Sequence, residues 1–103
     1  MENRTFLIVQ ATPDPDHMED LQKYGAQSYG ILAKHGGIPV ANYTVEAAMN
    51  SDEKPAMVGV FSFPSRQAID DLLVNDPEYQ KIVPFRDKGF KEIRFLVCHE
   101  KTQ

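Results

Sequence analysis

Three segments of this chain, TFLIVQA (5–11), AMVGVFSF (56–63) and EIRFLVCHE (92–100), are apolar on both sides of an extended backbone. Successive side chains of a strand point to opposite faces, so each run can be sorted by parity. Phe6 and Ile8 oppose Leu7, Val9 and Ala11; Val58 and Val60 oppose Met57, Gly59, Phe61 and Phe63; Ile93, Phe95 and Val97 oppose Leu96 and Cys98. An antiparallel sheet with one face in water would alternate apolar with polar, and these strands do not. Both faces of any sheet they form must be covered.

Between the strands lie helix signals. After strand 1, TPDPD supplies Asp14 as a cap, Pro15 for the first helical position, and Asp16, Glu19 and Asp20 where the helix dipole favours negative charge. The first helix is expected to reach Lys34 or His35, with Met18, Leu21, Gly25, Ser28, Leu32 and His35 on one stripe flanked by Tyr24 and Ile31. Gly36 suits a left-handed helix end, and Gly37 lets the chain reverse into strand 2, IPVANYTV. AAMNSDEKP is a polar loop before strand 3. Ser65 caps a second helix that buries Ile69, Leu72 and Leu73; Asp76 and Pro77 repeat the cap-and-proline device for a short extra helix that Pro84 limits or kinks. Strand 4 is expected over 92–100.

The order is therefore βαββαβ, an α+β ferredoxin-like fold whose four-stranded antiparallel sheet carries its helices on one face. At 103 residues there is room for one core, so the chain is expected to form a single domain with its core over about 5–99. The helices cover one side only. Leaving the other bare would show water more than the ~300 to 600 Å² patch usual on a monomer, and each such side chain gains roughly 1.5 to 3 kcal/mol on burial. A second copy stacked sheet on sheet supplies the cover, which predicts a homodimer through the helix-free sheet face.

The charge and the termini exclude other classes. Fifteen acidic against eleven basic residues give a net charge of -4, a field that repels phosphate backbones and anionic membranes, so no nucleic acid or membrane partner is expected. MENRTFLIVQ lacks a secretory segment and no run spans a bilayer, which points to the cytoplasm. Cys98 is the one cysteine and lies in an apolar run, where a buried inert thiol is expected. His17, His35 and His99 lack ligand-like spacing, so neither a metal site nor a cofactor motif is expected. Nor is there a P-loop or a nucleophile elbow.

FLIVQATPDPD near the start, ILAKHGG at the end of helix 1, FSFPSRQAIDDL at the second crossover and NDPEYQKIVPFR after it together resemble the family called domain of unknown function thirteen-thirty, over about residues 5–99. That family falls in the dimeric α/β barrel superfamily, alongside cofactor-independent monooxygenases acting on polycyclic aromatics, muconolactone isomerases and heme-handling proteins. The resemblance implies the dimer that the strands ask for, and it does not imply a reaction. The chain departs from the family pattern in three places. Ser62 stands where members often carry an acidic residue, and VANYT, with Asn42 and Tyr43, where they often carry an arginine; Leu72 and Leu73 replace a helix-2 aromatic.

The expected function is that of a small-molecule protein with one largely apolar cavity per subunit between helices and sheet, acting as a cofactor-independent oxygenase or isomerase on an aromatic or carboxylate-bearing metabolite. His35 is the candidate acid or base, because imidazole titrates near neutrality and the resemblance puts this helix end at the cavity mouth; a helix C-terminal role explains it equally. Tyr24, Asn42, Tyr43 and Tyr79 are candidate polar contacts for the ligand, though buried tyrosines also find partners for structural reasons. Arg66, a cation at the unfavourable end of helix 2, is expected to meet either an anionic ligand or Asp70 four residues on. Gly25, Ser28 and Gly30 make helix 1 small-sided, for tight packing or for a void. Arg86 is a candidate for fixing a carboxylate at the dimer contact. The alternatives are a non-catalytic metabolite-binding module and a purely structural or interaction dimer.

Overall fold

A computed structural model describes residues 4–101. The elements follow the expected order. Strand β1 (Thr5–Pro13) ends at Asp14, whose side chain accepts from the Asp16 amide at 3.0 Å, and Pro15 opens a tight single turn that leads into helix α1 (Met18–Lys34). Gly36 closes α1 at φ 81°, with its amide on the Ala33 carbonyl at 3.0 Å and that of Gly37 on Leu32 at 3.0 Å. The left-handed conformation requires glycine at 36; at 37 a Cβ would run into Leu32 and Phe63. Strand β2 (Ile38–Thr44) follows, then a loop, then β3 (Met57–Phe63).

The second crossover departs from the expected pair of helices. Ser65 caps α2 (Arg66–Asp70) by accepting from the Ala68 amide at 3.1 Å, but the chain then widens into a π-helical turn over Asp71–Asn75. Two side-chain hydrogen bonds hold the widened carbonyls, from the Gln80 amide group to the Leu73 and Val74 oxygens at 2.9 and 3.2 Å. Helix α3 (Pro77–Gly89) runs straight through Pro84, where the expectation was a stop or kink. Its packing on α1 outweighs the bond that proline forfeits: a Cβ on Gly89 would lie 2.8 Å from the Leu21 backbone. Strand β4 (Phe90–Cys98) then begins with no intervening loop, two residues earlier than expected.

The sheet is antiparallel with order β2-β3-β1-β4, the ferredoxin-like arrangement. One hydrophobic cluster, with Leu7, Phe63, Ile69, Leu72, Tyr79 and Ile82 at its centre, joins the sheet to the helices. Met18, placed on the buried stripe of α1 by its spacing, is exposed instead. The opposite face carries Ile8 between Val60 and Leu96, and Phe6 between Ser62 and Cys98, all but Ser62 only half-buried in the monomer. Ile38 and Tyr43 extend that face at the sheet edge and are exposed. Cys98 thus corrects its expectation, being half-exposed on the uncovered face rather than buried. No helix among the described residues is long and apolar enough to cross a membrane.

Candidate functional site

The helix-covered face encloses a cavity of about 320 Å³ between the sheet, α1, the π-helical turn and α3. Missing side-chain volume creates it. Gly25 and Ser28 lie about one turn apart on α1, and a Cβ on Gly25 would touch nothing within 4 Å; Gly59 on β3 faces the same space. Of the two readings of the small-sided stretch, the void is the one realised at these positions, and Gly30 lies outside the lining. The π-helical turn brings the consecutive Leu72 and Leu73 to the cavity together.

The walls are mainly apolar, and no charged residue is among those that line them. Polar atoms gather at one end. Tyr24 of α1 and Tyr79 of α3 place their hydroxyl oxygens 2.7 Å apart, and Arg86 donates from Nη1 to the Tyr79 oxygen at 3.1 Å. Arg86 lies two helical turns beyond Tyr79, so the two share a face of α3, and its guanidinium sits 5.8 Å from the Tyr79 ring centre and 5.5 Å from that of Phe95. Tyr24 also meets Tyr79 and Phe90 edge-on, at 6.1 and 5.9 Å between centroids. Burial, reinforced by Tyr79, pushes the Tyr24 phenol well above the ordinary tyrosine range and keeps it neutral. Burial alone would lower Arg86, but its bond to Tyr79 and the charge of Asp87 outweigh that and raise it, so it stays a cation.

A second polar cluster joins the C-terminal end of α1 to the start of α3. The Asp76 side chain, 3% exposed, brings Oδ2 to 2.6 Å from His35 Nε2 and 2.9 Å from Lys34 Nζ. Its Oδ1 accepts from the amides of Glu78 at 2.7 Å and Tyr79 at 3.3 Å, as a helix cap does. The bond from His35, then that from Lys34, together with the two amides, hold the carboxyl well below the usual carboxylate range.

Tyr24, Asn42 and Tyr79 therefore line the cavity as ligand contacts would, while His35, Tyr43 and Arg66 do not. His35 is bound to the Asp76 cap. Tyr43 lies opposite Val58 on the helix-free face, and Arg66, 62% exposed, pairs with Asp70 at 3.1 Å. Arg86 was assigned to a dimer contact; its observed partners are Tyr79 and Asp87. The signal for its place was the seven-residue step from Tyr79, which counts only if the helix passes Pro84. Among the described residues no cluster of histidine, cysteine and carboxylate side chains could hold a metal ion.

Residues 4–99 match the family described as a domain of unknown function (DUF1330). No curated protein sequence matches the chain. Among solved structures, a protein of unknown function from Rhodopseudomonas palustris superimposes with a TM-score of 0.81 at 20% identity, covering 100% of this chain and 86% of that one. A dimeric ferredoxin-like protein of unknown function from Jannaschia sp. CCS1 gives 0.70 at 14% identity, with 94% and 99% covered. SnoaB, a cofactor-independent oxygenase from Streptomyces nogalater, gives 0.67 at 10% identity, with 98% and 96% covered. At these identities the likeness is one of fold.

Proposed function

The chain belongs to the DUF1330 family, and on that premise we propose that it is a cytoplasmic homodimer that binds a largely apolar, ring-sized small molecule in the helix-to-sheet cavity of each subunit. The observation that carries this reading is the cavity itself, a largely apolar chamber with a few polar side chains in its lining, which is the usual make-up of a small-molecule site. Tyr24, Tyr79 and Asn42 orient the ligand. His35 is a positioning residue that ties α1 to α3 through Asp76, and Arg66 is a solvated helix residue paired with Asp70.

The dimer forms through the helix-free face, where Phe6, Ile8, Val60 and Leu96 are covered by the same residues of a second copy and Tyr43 extends the contact. The likeness in fold to a dimeric ferredoxin-like protein supports a homodimer. Ile8→Glu introduces a charge at the centre of the contact and is expected to yield monomers in sedimentation; a wild type that is itself monomeric at micromolar concentration removes the dimer.

Ligand binding is tested by melting the protein against a panel of aromatic and alicyclic compounds. The expected result is an upward shift with ring compounds that is lost on Gly25→Leu, a substitution that adds bulk where a Cβ meets nothing within 4 Å. A panel that leaves the melting point unchanged throughout counts against the binding reading. A second reading, a cofactor-independent oxygenase, draws support from the SnoaB fold likeness and from a tyrosine pair able to pass a proton. Oxygen consumption with quinol-type ring compounds separates it from binding alone.

A further inference from the structure

The hydrogens of the Arg86–Tyr79–Tyr24 chain do not balance within the protein. A guanidinium has no lone pair to offer, so in its bond with Tyr79 the phenol oxygen accepts. The two phenols bring two hydroxyl hydrogens, and the single contact between their oxygens uses one. Among the described residues no further acceptor meets either oxygen, so one hydroxyl hydrogen is left over on a residue that lines the cavity. Accepting from a cation makes the Tyr79 hydroxyl the stronger donor, which turns its hydrogen toward Tyr24 and leaves the spare one on Tyr24. The upward displacement of the Tyr24 phenol means that this hydrogen stays in place across the neutral range.

Charge at the same end points the same way. The only carboxylate bonded to Arg86 among the described residues is that of Asp87, whose side chain is 60% exposed, and no carboxylate lines the cavity. Arg86 thus reaches the cavity end only through its bond to Tyr79. One donor suits one oxygen: a carboxylate, with about four lone-pair sites, would reach this apolar chamber with most of its hydration unreplaced. Phe61, Phe90 and Phe95 in the lining offer flat apolar surface for a ring.

Within the ligand-binding reading, on which this inference rests, we propose that the Arg86–Tyr79–Tyr24 chain is an oxygen-recognition site for a ring-borne hydroxyl of acidic character, a phenol or enol, and that it selects against a carboxylate in the same position.

Three probes of similar shape test it: naphthalene, 2-naphthol and 2-naphthoate, titrated into the wild-type protein and into the Tyr24→Phe/Tyr79→Phe double variant. The double change is needed because loss of Tyr24 alone leaves the spare hydrogen on Tyr79. In the wild type 2-naphthol is expected to bind about tenfold more tightly than naphthalene, with 2-naphthoate weaker than 2-naphthol, and the double variant levels naphthol with naphthalene. Using a ratio cancels any general loss of stability. Equal binding of naphthol and naphthalene, or preference for naphthoate, overturns this inference and leaves the cavity reading standing. Failure of all three probes to bind overturns both.

Discussion

Helix α3 takes part in two polar clusters, and they differ in whether the hydrogen bonds close. At Asp76 both carboxylate oxygens are occupied, by His35, Lys34 and two backbone amides, and nothing remains to offer a ligand. At Tyr79 the bonds run out of acceptors one hydrogen short, beside an open chamber. The first arrangement is what a joint between two helices requires. The second leaves one hydroxyl hydrogen free at the cavity wall, which a joint between two helices does not require. Hydrogen bonding distinguishes the two clusters better than residue type does, since the one with the histidine and the acid is the one whose carboxylate is fully bonded.

Substitutions sharpen that contrast. The largest effect on stability is expected from Asp76→Ala, which removes the cap of α3 and strands His35, while Lys34 keeps Glu78; its melting point should fall furthest of the set, while the affinity of the remaining folded protein for 2-naphthol stays the same. The pH dependence comes next. The Asp76 carboxyl titrates lower in the folded protein than in the unfolded chain, so its contribution is fully present above the ordinary carboxylate range near pH ~4 and is lost as pH falls from there toward its folded value. Acid denaturation followed by circular dichroism should therefore be less steep in Asp76→Asn. His35→Gln, losing one bond to a charged partner, is expected to cost about 1 to 2 kcal/mol in denaturant titration with ligand affinity retained. If it removes binding and spares stability, the comparison fails at its centre. Tyr24→Phe should change stability least, by less than about 1 kcal/mol, because Tyr79 keeps its bond to Arg86.

The fold was legible in the sequence because its signals are local. Asp14-Pro15 and Asp76-Pro77 cap where expected, Gly36 turns where expected, and the two-sided strands specify a sheet needing cover. Within the site, Tyr24, Asn42 and Tyr79 were legible as polar residues on elements that face the helix layer. Arg86 was not, because Pro84 reads as a break and only the close approach of α3 to α1 at Gly89 and Leu21 shows why the helix survives it. The π-helical turn was equally hidden: Leu72 and Leu73 as neighbours fit an ordinary helix, and the wider turn depends on Gln80, which reaches back to it from the next element. The partner of His35 was hidden for another reason, since imidazole chemistry is visible in a sequence and a carboxylate 41 residues away is not.

The absence of a loop between Gly89 and Phe90 has a mechanical result. With its first turn locked by Asp76 and its last residue accepting from the Asp14 amide at 2.9 Å, α3 is a beam fixed at both supports, and it cannot swing outward without dragging an edge strand along. The Tyr79 and Phe90 side of the chamber is therefore held stiffly, while α1 presents glycine and serine to the same space instead of bulk.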